Sequence, residues 1–257
     1  MVQIPEIYGG SMTKVLLYSG GLDSWLISKI WNPDIKLYID IEGSYSEIEK
    51  SKLPKDVKIV KFPLGQFETP SKYIPLRNLY FLMIASNYGD ELCLGAIAGD
   101  RGVKDKTPEF FNMTEELLNY LLEKQSNQAE AKKIIIEEEF LYKSKSDLVQ
   151  MYLEQGGTLE EIARNSFSCY KSKDGEPCFD CKPCFRKFVT LAHFGYEYPE
   201  EAQRKIYEYA KREMVPYSKN TNNTYYKDRQ TEGKIAEEQV QKLYAKFGGD
   251  IERDRLC

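Results

Sequence analysis

No stretch of the 257-residue sequence approaches the run of about 18 apolar residues that a membrane span needs. The start, Met1 to Lys14, lacks a cationic segment followed by an apolar run and a small-residue cleavage site, so no secretory signal is expected. Basic residues are not in excess. Lys and Arg number 36 against 40 Asp and Glu, giving a net charge of −4, which excludes a generally basic nucleic-acid coat and disfavours direct duplex or tRNA binding. No internal repeat is present, and there is only one histidine, His193. It lies nine residues past Cys184 in a Leu-Ala-His-Phe-Gly context that reads as a helix end or a core position rather than a ligand or base.

What is present is ordinary for a globular chain with a real core: 42% apolar residues, 13% of the chain aromatic. The length suits one α/β domain with an appendage. Four of the six cysteines fall within sixteen residues, Cys169 to Cys184. In a chain without an export signal that crowding predicts a metal site rather than a disulfide framework, and a reducing cytoplasm as the compartment. Cys93 sits in an apolar strand and is expected to be buried and inert; the terminal Cys257 carries no signal.

Strand and helix patterns alternate along the chain. Lys14–Tyr18, Ile35–Ile41, Val57–Phe62, Glu91–Ala98 and Lys133–Glu137 read as strands. Between them Asp23–Trp31, Glu47–Lys52, Leu76–Tyr88 and Glu109–Glu123 read as helices. Ser144–Gln155 and Thr158–Arg164 follow as helices with capping-box starts. This order predicts parallel βαβ units and a doubly wound α/β sheet. The expected divisions are an α/β domain over 1–165, a four-cysteine segment over 166–195 and a helical C-terminal extension over 196–257. Within that extension Tyr198–Glu213 and Lys234–Phe247 read as helices joined by a polar loop from Met214 to Gly233, the whole expected to form a surface appendage or an oligomer contact.

Ser19-Gly20-Gly21-Leu22-Asp23-Ser24 joins the first strand to the first helix. Two glycines let the backbone turn tightly and approach an anion, and the helix N-terminus points free N–H groups and its positive dipole end at the same place. The hydroxyls of Ser19 and Ser24 add hydrogen bonds, and Asp23 can hold Mg²⁺ beside phosphates. A Walker loop is excluded by the missing Gly-Lys-Ser/Thr ending, and a dinucleotide fingerprint by the missing G-x-G-x-x-G spacing. The loop resembles that of the N-type ATP-pyrophosphatases, which adenylate an oxygen and then admit a nitrogen or sulfur nucleophile.

Cys169, Cys178, Cys181 and Cys184 have the spacing C-x8-C-x2-C-x2-C. Four thiolates on tight turns suit a closed tetrahedral Zn²⁺ site, while a C-x2-C-x2-C run also suits an iron–sulfur cluster or redox thiols.

Together the loop and Ser168-Cys169-Tyr170…Cys178-x2-Cys181-x2-Cys184 resemble the 7-cyano-7-deazaguanine synthase family. Ile74-Pro75-Leu76-Arg77-Asn78 resembles that family's Val-Pro-Gly-Arg-Asn. Gly95, Asp100 and Pro108-Glu109-Phe110 resemble its glycine–aspartate–Pro-Glu-Phe segment, and Lys145 falls at the lysine of its Ser/Asp-Lys helix start. The resemblance implies an adenine nucleotide alpha hydrolase-like, Rossmann-like fold with a four-cysteine zinc subdomain. It implies ATP, Mg²⁺ and Zn²⁺ as cofactors, and conversion of 7-carboxy-7-deazaguanine to the nitrile with ammonia. Tyr18, Ser19, Gly20, Gly21, Leu22, Asp23, Ser24, Trp25, Leu26, Ile27 and Ser28 would form the nucleotide segment. Asp23, Arg77, Asp100 and Lys145 would be catalytic, and Arg77, Asn78, Glu109 and Phe110 would meet the substrate. A homodimer is compatible with it.

Three departures stand out. Leu76 replaces the family glycine, Gly102-Val103-Lys104-Asp105-Lys106 replaces Ser-Gly-Tyr-Pro-Asp-Cys, and Asp40-Ile41-Glu42-Gly43 stands where a Gly-Gln-Arg-His ending is expected. A divergent relative joining a deazaguanine base to another acceptor, a tRNA sulfur-transfer enzyme and a non-catalytic nucleotide sensor are the competing readings.

Overall fold

The computed structural model describes residues 12–123, 132–172, 175–214 and 230–248. By its contacts the chain divides into two compact units, Met1–Lys143 and Ser144–Cys257, with one division where the sequence reading placed boundaries after 165 and after 195.

The first unit is built on β1 (Lys14–Leu17), β2 (Ile35–Asp40), β3 (Val57–Lys61), β4 (Glu91–Cys93) and β5 (Ile135–Ile136), all parallel, in the order β3-β2-β1-β4-β5. Central β1 pairs Val15 with Ile35 on one side and with Leu92 on the other. Both its faces are covered, so it is a continuous apolar run with Val15 and Leu16 at 0% exposure. Val15, Leu17, Leu37 and Ile39 pack with Leu82 and Ala85 of α3 (Arg77–Ala85) and Phe111 and Leu118 of α4 (Pro108–Leu122). The chain leaves β1 for β2 and β3 on one side, then crosses to β4 and β5 on the other. The order therefore reverses between β1 and β4, the place where open α/β sheets bind ligands.

Two expectations shorten for physical reasons. The fourth strand stops at Cys93 rather than Ala98, because Gly95 takes φ +72° and turns the chain out of the extended region. The fifth is two residues long, and side chains of α4 take over its pairing. Asn119 Oδ1 accepts from Ile134 N–H at 2.7 Å, its Nδ2 donates to Ile134 C=O at 2.9 Å, and Glu115 accepts from Ile136 N–H at 2.7 Å. That covers a sheet edge that would otherwise stand open.

In the second unit α5 (Lys145–Glu154) and α6 (Leu159–Asn165) both start with reciprocal capping boxes, Ser144 with Asp147 and Thr158 with Glu161. α7 (Lys182–His193), α8 (Glu200–Tyr209), a π-helical turn (Ala210–Met214) and α9 (Gln230–Phe247) follow, and His193 does end its helix. The helix expected from Tyr198 starts only after Pro199. The last helix begins at Gln230, four residues before the expected Lys234, and encloses Gly233; residues 215–229 of the expected loop lie outside the described residues. The expectation of a surface appendage is corrected by the packing. Ile206, Tyr207 and Tyr209 of α8 and Ala236, Val240 and Leu243 of α9 share one core with Phe185, Phe188 and three cysteines. Their apolar stripes have nowhere else to be buried. No helix among the described residues is long and apolar enough to cross a membrane.

Candidate functional site

The nucleotide loop lies at the carboxyl end of β1, beside the reversal of strand order. Tyr18 N–H still pairs with Leu37 C=O at 2.8 Å, and the chain then turns through Gly20 at φ +74° into α1 (Leu22–Ile30). Ser24 is buried and organises the turn. Its hydroxyl accepts from Ser19 N–H at 3.3 Å, lies 3.2 Å from the Ser19 hydroxyl and donates to Gly21 C=O at 3.3 Å. Gly21 is the N-cap and supplies no side chain; its own N–H donates to Ser19 Oγ at 3.4 Å. Asp23 stands half-buried in that turn. Leu22, Trp25, Leu26, Ile27 and Ser28 are buried and anchor the helix, as does Tyr18, whose hydroxyl burial pushes up to about 12. Gly95, one strand over, brings its Cα so near the loop that a Cβ would sit 3.5 Å from Leu17 C=O and 4.0 Å from Ser24 Cβ.

The neighbouring matches are tied to the divergent stretch. Asn78 is buried and donates through Nδ2 to Asp105 C=O at 3.3 Å, while Asp100, past the end of β4, pairs with Lys106 Nζ at 3.3 Å. The altered segment 102–106 thus holds both. Arg77 begins α3 and carries its guanidinium 5.8 Å from the Phe81 ring; hydrogen bonds from Ser44 hold the Glu68 carboxyl low, and the Arg77 charge pulls the same way there and at Glu49. For Glu49 burial outweighs that pull, leaving the carboxyl raised, with the Tyr38 hydroxyl donating to it at 2.9 Å. Glu109 is exposed on the first turn of α4, whereas Phe110 packs partly against the core. Lys145 belongs to the second unit, at the first position of α5, and is buried.

Leu76 sits at φ 59°, ψ 13° as the N-cap of α3, in the left-handed region where a side chain is strained, and is 58% exposed. A glycine relieves the strain at no packing cost. We expect Leu76→Gly to raise stability by about 1 kcal/mol, read as a higher denaturant midpoint at unchanged slope. A lower midpoint would show that the leucine is held by packing.

Sequence reading met Asp40 only as the start of a departure, not as a buried, paired carboxylate. It ends β2 with its carboxyl 1% exposed, bound by Lys50 Nζ at 2.7 Å and by Glu42 N–H at 3.1 Å. Burial alone would push that carboxyl up; these donors outweigh it and hold it below the usual range. An aspartate closing a strand was the available signal, but its lysine partner lies on α2 (Ser46–Lys50), one helix away.

The four cysteines converge: their sulfurs all lie within 4.8 Å of one another, and Cys169, Cys181 and Cys184 are buried. A tetrahedral ion with metal–sulfur bonds of ~2.3 Å needs sulfurs about 3.8 Å apart, so the set could hold a metal ion with little adjustment. Phe179 at φ 53° tightens the Cys-Phe-Asp-Cys turn, which aims Asp180 N–H at Cys178 Sγ (3.3 Å); Cys178 N–H meets Cys169 Sγ at 3.4 Å. Such N–H donors stabilise thiolate charge. A hydrogen bond from Cys184, aided by nearby N–H groups, pulls the Cys181 thiol down to about 5, and burial pushes Cys178 up to about 12. Lys187, one turn past Cys184, donates to Ala163 C=O at 2.8 Å and to Ser166 C=O, pinning the end of α6. Arg212 of the π turn pairs with Asp180, clamping the knuckle from the extension. Cys93 is 1% exposed, its thiol raised to about 12 by burial, as expected of an inert core residue.

The family model of queuosine biosynthesis protein QueC matches residues 32–195, a span that includes all four cysteines and stops before α8. The 7-cyano-7-deazaguanine synthase of Thermoplasma volcanium is 29% identical over 187 residues, 67% of this chain and 70% of its own length. That of Thermoplasma acidophilum is also 29% identical over 187 residues, covering 69% of this chain and 73% of its own. The Persephonella marina protein of the same name is 26% identical over 194 residues, 72% and 76% of the two chains. No solved structure matches.

Proposed function

The chain belongs to the QueC family of queuosine biosynthesis proteins, and from that premise we propose that it makes 7-cyano-7-deazaguanine from 7-carboxy-7-deazaguanine, ammonia and two ATP. The observation that carries this reading is the pairing of the family's cysteine-bearing span with a serine-organised anion loop at the sheet's reversal point. In the first half-reaction a carboxylate oxygen attacks the α-phosphorus and pyrophosphate leaves. Ammonia adds to the acyl carbon and expels AMP, giving the amide. In the second, the amide oxygen is adenylated in turn; loss of AMP and two protons leaves the nitrile. Two AMP and two pyrophosphates form per nitrile.

Each role follows from the local chemistry. The N–H groups of α1 and the hydroxyls of Ser19 and Ser24 bind the departing pyrophosphate, whose charge grows as the bond breaks. Asp23 would hold Mg²⁺ there, an ion that neutralises phosphate oxygens when bound. Arg77 offers a bidentate grip to an oxyanion, and Asp100 joins it in the reacting set; Lys145, which belongs to the second unit, is a further candidate reacting group by its family position alone. With four thiolates and no histidine ligand, the cysteine centre would hold Zn²⁺ as a closed structural site that keeps no position for a reactant.

The departures at Leu76, residues 102–106 and the end of β2 favour one second reading, an adenylating relative that uses a different deazaguanine or a different acceptor. The two separate in one assay. Purified protein with ATP, Mg²⁺, ammonia and 7-carboxy-7-deazaguanine should release AMP and a base lighter by the carboxyl-to-nitrile change on mass spectrometry. AMP without the nitrile supports the second reading; ADP, or no nucleotide turnover, contradicts both.

A further inference from the structure

Two donors beside the cysteine centre lack the anion that each needs. Lys187 lies three residues past Cys184 on α7, and a long helical side chain runs back over the turn before it, here toward Cys184. Its ammonium donates to Ala163 C=O at 2.8 Å and to Ser166 C=O, two neutral acceptors for three N–H groups. Burial pushes that ammonium down to about 8, and the Cys184 charge pulls it back up; no carboxylate pairs with it among the described residues.

Tyr198 approaches the same cluster from the segment leading into α8. Its ring stacks on Phe188 at 4.5 Å and meets Phe179 edge-on at 5.9 Å, which wedges it between α7 and the Cys-Phe-Asp-Cys turn. Gln203 Nε2 fixes its backbone, donating to Tyr198 C=O at 2.6 Å. The hydroxyl is buried with no hydrogen-bond partner, whereas a buried phenol ordinarily finds one. Burial, then the charges of Tyr196 and Cys184, push it above its usual range. Tyr198 also lies beyond the matched span 32–195.

One anion answers both. Binding a divalent ion releases the protons of four thiols to water and leaves four negative charges against two positive ones, in the core of the second unit. Backbone N–H groups offset part of the excess, at 3.4 Å on Cys169 and 3.3 Å on Cys178. An ammonium cancels a full charge, and a phenol adds a donor that is strongest toward an ionised acceptor.

We propose that Lys187 and Tyr198 form the outer shell of the Cys184 thiolate in the metal-loaded centre, Lys187 as its counter-charge and Tyr198 as a hydroxyl donor contributed by the C-terminal extension. This rests on reading the cysteines as a four-thiolate Zn²⁺ site.

The full-length chain loaded with Zn²⁺ is titrated with a competing chelator, and the same chain loaded with Co²⁺ gives the energy of the thiolate-to-metal charge-transfer band. Tyr198→Phe removes the hydroxyl and keeps the ring on Phe188; Lys187→Met removes the charge and keeps the stem. In each variant Zn²⁺ affinity should fall about tenfold or more. The Co²⁺ band at saturation should move to lower energy, because a thiolate deprived of a donor or counter-charge gives up its electrons more easily. A merely structural role would weaken binding and leave the band in place. An unmoved band, or unchanged affinity, in either variant overturns the outer shell. Should Lys187→Met fail to fold, Lys187→Gln takes its place, with an uncharged amide that can still donate to the Ala163 and Ser166 carbonyls. A wild type that binds neither ion contradicts the zinc reading itself, whereas a loaded wild type with unmoved bands in the variants sinks the outer shell alone.

Discussion

Asp23→Ala will lower AMP release about 10²–10³-fold while the protein stays folded. The size follows from what preorganised charge stabilisation contributes to a transition state in which a pyrophosphate gathers negative charge. The folding claim follows from position. Asp23 is half-buried in the first turn of α1, where an acidic side chain contributes only about 0.3–1 kcal/mol through the helix dipole. The loop itself is organised by Ser24, whose hydroxyl reaches Ser19 N–H, the Ser19 hydroxyl and Gly21 C=O, none of which the substitution removes. Steady-state AMP formation with the melting temperature measured in parallel checks this. A loss below tenfold would remove Asp23 from the reaction.

Cys181→Ala will lower bound metal from about one ion per chain to a small fraction and unfold the second unit well before the first. Cys181 joins the metal set to the helices: it stands at the N-cap position of α7, is buried, and carries a thiol held low by a hydrogen bond from Cys184. Structural zinc contributes an apparent ~10–16 kcal/mol in small zinc-binding peptides at neutral pH, comparable to the whole stability of a domain. Here Cys169, Cys181 and Cys184 are also part of the core shared by α7, α8 and α9, so losing the ion loosens three helices together. The sheet of the first unit has its own core and should melt separately. Calorimetry with elemental analysis reads both quantities. Iron with labile sulfide in the wild type, or full metal content and an unchanged melting profile in the variant, would refute a structural zinc.

What the sequence made legible was local. The apolar run Lys14–Tyr18 ending in Ser-Gly-Gly, the Ser144 and Thr158 capping boxes and the cysteine spacing each depend on neighbours a few residues away, and each appears where expected. What stayed hidden depends on distant partners. Asp40 needs Lys50 from a different element, Asn119 supplies the edge of β5 from α4, and Glu232 meets Arg186 across 46 residues. The left-handed Leu76 was visible only as a departure from a glycine; its cost appears once φ is known. The extension looked polar and peripheral because its apolar residues are spread at helical spacing, and only the packing of α8 and α9 onto the cysteines shows what they bury.

The proposed reaction adenylates the substrate's own oxygen. Supplying 7-carboxy-7-deazaguanine labelled with ¹⁸O in both carboxyl oxygens, with ATP, Mg²⁺ and ammonia, tests it directly. Both labels should leave in AMP, one from each half-reaction, with none in pyrophosphate. Unlabelled AMP, or label recovered in inorganic phosphate beside ADP, would contradict it.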